Sequence, residues 1–505
     1  MTLGTRWMVV GVRSEIVVYR ASSIDAKGRG GIVASFRSDS HSSTDRLAEA
    51  AMATPDAKAS TSDDPWQDIT ALEALDREAS TVAVGYANGC IQVIAVRPEG
   101  EKGSIQMQLL QNFPSARQQE VAGISTQASR MQLNSAVQTH GYPQTDTHLI
   151  ASITKRGCLR IHQFASRDQQ DSLTHLDHGC CWEIDSEGEA TRSDPNASTP
   201  ADTSGANTPP RTNFRSAAFN NAPLLPAQDA VTGSGTATRA WSVLLGSCDT
   251  QAHGSTLTWV AVGITAEHAV YIYPLSQGDG GIGLREPFRV ASTGQRTSVY
   301  AMATPPPESS LPGFLLFVGF YDGVVRVYDT RQLRADSEGG SWDMNDLREA
   351  LPMSDAPSRR RRINRQLDPI AIWREEYDTD AIYSLSFGGP KSTVMVVGGA
   401  RHAKVRVFDI GVLAGYDVPL LGETGGKRWD WTGFALRSTD SPVYGVAGQA
   451  DRVVGVTDRK IWWLDFGRPV LEEDGEGAGG GGEEQQVAYF RHSDGGLCYS
   501  SPMYR

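Results

Sequence analysis

An all-β architecture assembled from repeated small sheets is what the sequence predicts, and three observations lead to it. The stretch from Ile382 to Asp409, IYSLSFGGPKSTVMVVGGARHAKVRVFD, reads as three short strands joined by two turns. The same pattern recurs along the chain to give seven copies. Each copy presents an apolar face that it cannot cover alone, so neighbouring copies must cover one another. Small antiparallel sheets that shield each other around a ring form a seven-bladed β-propeller, and the polar tracts between the copies predict long disordered insertions.

The template shows how each strand is read. Ile382 to Phe387 is a β-prone run, Gly388 to Thr393 is a turn carrying Gly-Gly-Pro, and Val394 to Val397 is an apolar run of the kind buried on both faces. After Gly398 to Ala403, the segment Lys404-Val405-Arg406-Val407-Phe408-Asp409 alternates, which predicts Val405 and Val407 inward and Lys404 and Arg406 outward.

Taken in order, the copies are Trp7 to Arg20 (WMVVGVRSEIVVYR), Val82 to Arg97 (VAVGYANGCIQVIAVR), His148 to Phe164 (HLIASITKRGCLRIHQF) and Leu257 to Leu275 (LTWVAVGITAEHAVYIYPL). Then come Gly313 to Thr330 (GFLLFVGFYDGVVRVYDT, preceded by Val299 to Met302), the template itself, and Ser441 to Phe466. Their irregular spacing is expected from insertions into a period of about 40 to 45 residues. The first copy reads as lacking an opening strand, while Val487 to His492 (VAYFRH) alternates like a spare outer strand. The ring is therefore expected to close by mixing strands from the two chain ends. Leu47 to Met52 and Ile69 to Leu75 have helical character but are short.

These copies place a propeller over residues 1–471, with disordered insertions at 38–65, 186–238 and 334–368, an acidic Gly-rich linker at 472–486 and a tail at 487–505. The run Arg359 to Arg362 reads either as a nuclear-import or acidic-partner signal or as a solvated loop.

Composition narrows the function classes. A hydrophobic fraction of 39% with 52 Gly and 25 Pro fits ordered blades diluted by polar insertions. The net charge of −12 disfavours general nucleic-acid binding or adhesion to an anionic membrane, because the summed field repels phosphate. No apolar run is long enough for a membrane span or a signal-peptide core. The six cysteines (Cys90, Cys158, Cys180, Cys181, Cys248 and Cys498) have no framework spacing, which points to a reducing, intracellular setting, cytoplasmic or nuclear.

No catalytic motif is present: no phosphate-binding loop, no nucleophile elbow and no His-Glu-x-x-His. The one metal-like cluster is His175, His178, Cys180 and Cys181 in HLDHGCC, but adjacent cysteines in an irregular loop supply a tetrahedral site poorly. No metal or cofactor is therefore expected. Trp429, Trp431, Trp462 and Trp463 could line a ligand pocket or pack between blades, and packing is the reading taken here.

Strands ending Val-Tyr-Asp329, Val-Phe-Asp409 and Trp-Leu-Asp465 resemble degenerate WD40 repeats. The chain has no Gly-His dipeptide, and only Asp322 and Asp458 stand in the turn where such a blade commonly keeps an Asp, so the family's buried tetrad is not carried over. The later part of the chain, with DAIYSLSF, VVGGARHAKVRVFD, SPVYGV and VTDRKIWWLDF, is similar to the propeller of F-box/WD-repeat proteins, the substrate receptors of SCF ubiquitin ligases. No leucine-rich helical stretch of F-box size stands in the sequence. The resemblance implies a non-catalytic interaction protein. Its partner would be a protein, together with an SCF adaptor subunit if an F-box lies upstream. The alternatives are a scaffold unrelated to ubiquitin and a propeller enzyme.

The resemblance also implies where a partner would bind. In such blades the turn between the second and third strands opens on the face where the chain enters the blade. Those turns carry Arg13, Asn88, Lys155, Arg156, His268, Tyr321, Asp322, Arg401, His402, Arg459 and Lys460. Their basic bias on an acidic chain suits an acidic or phosphorylated segment, which Arg grips with paired, charge-assisted hydrogen bonds. Exposed turns also favour charge for solubility alone, and the sequence leaves both readings open.

Overall fold

A computed structural model describes residues 1–21, 32–37, 68–99, 104–114, 119–129, 147–165, 180–185, 187–193, 239–249, 256–278, 281–291, 293–333, 365–374, 380–401, 404–414, 431–435, 441–449, 452–457, 461–466, 489–492 and 497–499. The seven predicted copies become seven sheets, each built on an antiparallel meander. Their innermost strands are Thr2–Leu3, Ile69–Ala74, Val121–Ser129, Ala240–Asp249, Val299–Ala303, Ile382–Gly388 and Gly445–Gly448. Each touches the next, and the seventh touches the first, so the sheets form a closed, seven-bladed ring.

Blade-to-blade packing follows from a small residue repeated in the second strands. Gly11, Gly85, Gly263, Gly319 and Gly398 all follow a valine in their strands. A Cβ placed on Gly85 would come within 2.7 Å of Val121 Cγ1, and one on Gly319 would collide with Ile382 Cγ2. Both obstructing residues open the inner strand of the following blade. The missing side chain is what lets that strand approach, and the interblade core then fills with Val, Ile, Leu and Phe.

The template blade matches its reading closely, with strands Ile382–Gly388, Val394–Gly399 and Lys404–Asp409. One detail is corrected: Arg406 is fully buried, not outward. A middle strand in a propeller is covered by a neighbouring blade on each face, so strict alternation does not mark a wet side there.

Three further expectations change. The first blade has its own opening strand, Thr2–Leu3, paired to Met8 and Val9. Ile69–Ala74, read as weakly helical, is the inner strand of blade two; its Leu72 is buried opposite Val84, and that tertiary demand overrides helix-forming Leu, Glu and Ala. Strands also occur inside two of the expected insertions. Ala190–Ser193 extends blade three, and Gln366–Leu367 pairs in parallel with Phe288–Val290 of blade four before Ala371–Trp373 returns to blade five. Leu47 to Met52, the Arg359 to Arg362 run and the 472–486 tract lie outside the described residues.

Among the described residues, the ring closes without strand exchange between the chain ends. Blade seven contains Gly445–Gly448, Arg452–Val456, Ile461–Asp465, Tyr489–His492 and Leu497–Tyr499, all from the C-terminal part of the chain. Its seam with blade one is a side-chain cluster in which Val454 and Trp463 pack on Met8 and Val10. Across the same seam the Arg452 guanidinium donates to the Ala21 carbonyl at 3.4 Å.

Candidate functional site

The turns between second and third strands share one face of the ring with the residues that open the inner strands, here called the upper face. Backbone hydrogen bonds show it directly. The N–H of Ile69 donates to the Arg13 carbonyl at 2.6 Å, that of Lys155 to Glu120 at 3.1 Å, that of Ala240 to Lys155 at 3.1 Å, and that of Tyr321 to Ser298 at 3.0 Å. Each turn is thus tied to the residue opening its own blade or the next. Tight reversal requires a left-handed residue, supplied by Gly89, Gly157 and Gly323; in blade one Arg13 adopts it at φ 53°.

Of the residues picked from the sequence, Arg13, Lys155, Arg156, Tyr321, Asp322 and Arg401 stand on this face, whereas His402, Arg459 and Lys460 lie outside the described residues. Two of the six are engaged within the fold. Lys155 Nζ lies 2.7 Å from Glu120 Oε1, and Asp322 accepts from Arg326 at 2.8 Å and from the Val324 N–H at 3.1 Å. Asp322 therefore fixes its own turn. Arg13, Arg156 and Arg401 are exposed. The Arg401 backbone N–H donates to buried Asp380 at 2.9 Å.

A set of aromatic residues on the upper face was not singled out from the sequence as a site. The pairing register breaks after the first residue of the inner strand in blades two to six, and the skipped residue is Thr70, Ala122, Trp241, Tyr300 or Tyr383. Such a bulge re-aims a side chain out of the ladder. The Trp241 and Tyr300 rings lie 4.9 Å apart, Tyr300 and Tyr383 lie 4.7 Å apart, and Tyr321 from the blade-five turn stands 6.1 Å from Tyr300. Tyr444 holds the matching place just before the inner strand of blade seven and is 48% exposed. Together they form an arc over blades four to seven. The signal was present in the sequence as Ala-Trp241, Val-Tyr300 and Ile-Tyr383, an aromatic residue directly after the residue that opens the inner strand, and as Val-Tyr444 just ahead of the last one.

Hydroxyls hold one end of the arc. Trp241 Nε1 donates to Thr265 Oγ1 at 2.7 Å, and Thr265 Oγ1 shares a 2.7 Å hydrogen bond with Ser298 Oγ. Burial pushes the Tyr300 phenol well up, neighbouring Tyr383 and Tyr321 add to the rise, and Ser298 and Arg239 oppose it. Tyr383 is raised by burial first, then by Tyr321, Tyr444 and Asp380, with Arg401 opposing. The raised phenols of Tyr300 and Tyr383 are neutral at physiological pH.

The HLDHGCC stretch behaves differently from a ligand set. Cys181 Sγ lies 2.9 Å from Cys158 Sγ between adjacent strands of blade three, and that hydrogen bond followed by burial drives the Cys158 thiol far above its ordinary range. His175 and His178 lie outside the described residues. Among the described residues, no three His, Cys, Asp or Glu side chains gather as a metal site, and no helix is long and apolar enough to cross a membrane. Trp462 and Trp463 are buried in the packing on either side of blade seven.

No family model and no curated protein matches the sequence. Among solved structures, the chain is similar to Chaetomium thermophilum Sqt1 bound to the N-terminus of ribosomal protein L10 at 12% identity, covering 90% of this chain and 91% of that one with a TM-score of 0.40. It is similar to the β-propeller domain of Myceliophthora thermophila Cps50 (Swd1) at 8% identity, covering 90% of each chain with a TM-score of 0.42. The C-terminal WD40 domain of Sif2 matches at 11% identity over 91% of this chain and 92% of that one, with a TM-score of 0.41.

Proposed function

We propose that this chain is a non-catalytic protein-interaction propeller whose upper face receives an acidic or phosphorylated segment of a partner protein. The observation that supports this most is the exposure of Arg13, Arg156 and Arg401 on one face of a chain whose net charge is −12. Such a contrast in sign steers an acidic partner to that face and fixes its orientation. Reversing Arg156 and Arg401 together to Glu tests it: capture of the natural partner should be lost, with the thermal melt unchanged. Capture that stays equal to the parent, with the same salt dependence, would remove the upper face from consideration.

The finer reading, a substrate receptor of an SCF ligase, rests on the F-box/WD-repeat resemblance of the later blades. Its test is co-purification of the natural gene product with the SCF adaptor subunit. If no adaptor appears with the full gene product, the chain is a scaffold outside the ubiquitin system.

A further inference from the structure

The aromatic arc gives the upper face a second chemistry besides charge, and it occupies only part of the ring. Trp241, Tyr300 and Tyr383 fill the bulge position of the inner strands of blades four to six, and Tyr444 stands just before the inner strand of blade seven. The corresponding residues in blades two and three are Thr70 and Ala122, and Thr70 instead turns its hydroxyl to the Gly85 carbonyl at 3.2 Å. Among the described residues, a chain entering this face therefore meets an amphipathic aromatic surface on the side of blades four to seven.

Two properties of the arc narrow what it can take. The hydroxyl chain from Trp241 through Thr265 to Ser298, with the packing of Tyr300 on Trp241 and Tyr383, holds the rings beforehand, so little ordering entropy is lost when a ligand seats. The rings tilt against one another at 46° to 49°, each using part of its face on its neighbour, so they offer a notch for a side chain rather than parallel faces for stacked bases. Charge supplies the rest. Exposed Arg239 and Arg401 flank Tyr300 and Tyr383, Asp380 is buried beneath and bonded to the Arg401 N–H, and Asp322 is engaged by Arg326. Among the described residues, Glu267 on the blade-four turn is an exposed acidic group at the rim of this side.

We infer that the arc over blades four to seven is a docking site for an extended peptide segment in which an aliphatic or aromatic anchor residue, seated among Tyr300, Tyr383 and Tyr444, is flanked by acidic residues that pair with Arg239 and Arg401. The inference rests on the upper-face reading above and deepens it by locating the site and naming the anchor. Trp, Tyr and Arg are the residue types that carry most of the affinity in protein interfaces, and here they lie side by side.

The test is selection of random dodecapeptides displayed on phage against the full chain, with affinities then measured by fluorescence polarisation on the parent and on Tyr383→Ala, Tyr444→Ala and Arg401→Glu variants. The expected result is enrichment of peptides with one apolar residue between acidic ones. Their binding should fall about tenfold or more in Tyr383→Ala and Tyr444→Ala, and lose its salt sensitivity in Arg401→Glu. Tyr444 is half exposed, so its variant keeps the test decisive if Tyr383→Ala does not fold. Acidic peptides that ignore both tyrosine variants yet are lost in Arg401→Glu overturn the anchor while leaving the upper-face reading standing, and basic peptides overturn both. Peptides indifferent to all three variants, or no enrichment at all, overturn both. Tyr383-dependent binding of an oligouridylate probe in preference to peptide would overturn the inference in favour of single-stranded nucleic acid.

Discussion

Arg406 shows how much a single side chain can do in a ring of blades. Its guanidinium is fully buried and donates to the Asp380 carbonyl at 2.8 Å and the Gly323 carbonyl at 3.4 Å, linking its own blade to the turn of blade five. Lysine cannot span two carbonyls with one fixed fork, so Arg406→Lys should lower unfolding free energy by about 1–3 kcal/mol in urea titration. An unchanged midpoint would mean the link carries no weight. Glu73, on the inner strand of blade two, gives a pH signature. Burial raises its carboxyl from 4.5 to about 7, with the Met1 amine opposing the rise. The folded state then holds a proton that the unfolded chain has released, so this group costs stability as pH climbs from 4.5 through about 7. Glu73→Gln should flatten that fall in thermal melts across the window; a parallel fall in parent and variant would assign it elsewhere. Neither residue's environment was legible in the sequence, because each depends on which neighbour covers the strand.

At the level of strands, the sequence was most informative where it repeats. Second and third strands were located in all seven copies, since an apolar run followed by an alternating run is a local signal. The opening strands were less visible. Thr2–Leu3 is too short to show a period, and Ile69–Ala74 is built of residues that also favour helix. The aromatic arc was hidden for a related reason: a bulge shifts the alternation by one residue, and only the paired strand reveals it. The glycine rule gives a direct prediction. Gly319→Ala should destabilise the ring by about 1–3 kcal/mol, because its new Cβ meets the branched Ile382 side chain, which has no flexible end to move aside. A neutral Gly319→Ala would show that the blades are less closely docked than described.

For the whole ring, closure is the structural question and the upper face the functional one. The seam between blades seven and one is made by side chains, with Trp463 buried against Met8 and Val10. Trp463→Ala should therefore cost about 3–5 kcal/mol, near the upper end for a core truncation, and lower the melt of the entire ring together. A loss confined to local exchange in blade seven would contradict a cooperative ring. The upper face is tested most directly by hydrogen–deuterium exchange on the chain alone and in complex with its co-purified partner. Protection should appear at the turns bearing Arg13, Arg156, Tyr321 and Arg401 and at the inner-strand starts near Tyr300 and Tyr383. Protection confined instead to the opposite face, at turns such as Thr5 to Arg6 and Asp76 to Ser80, would contradict the assignment of the upper face as the place where this propeller meets its partner.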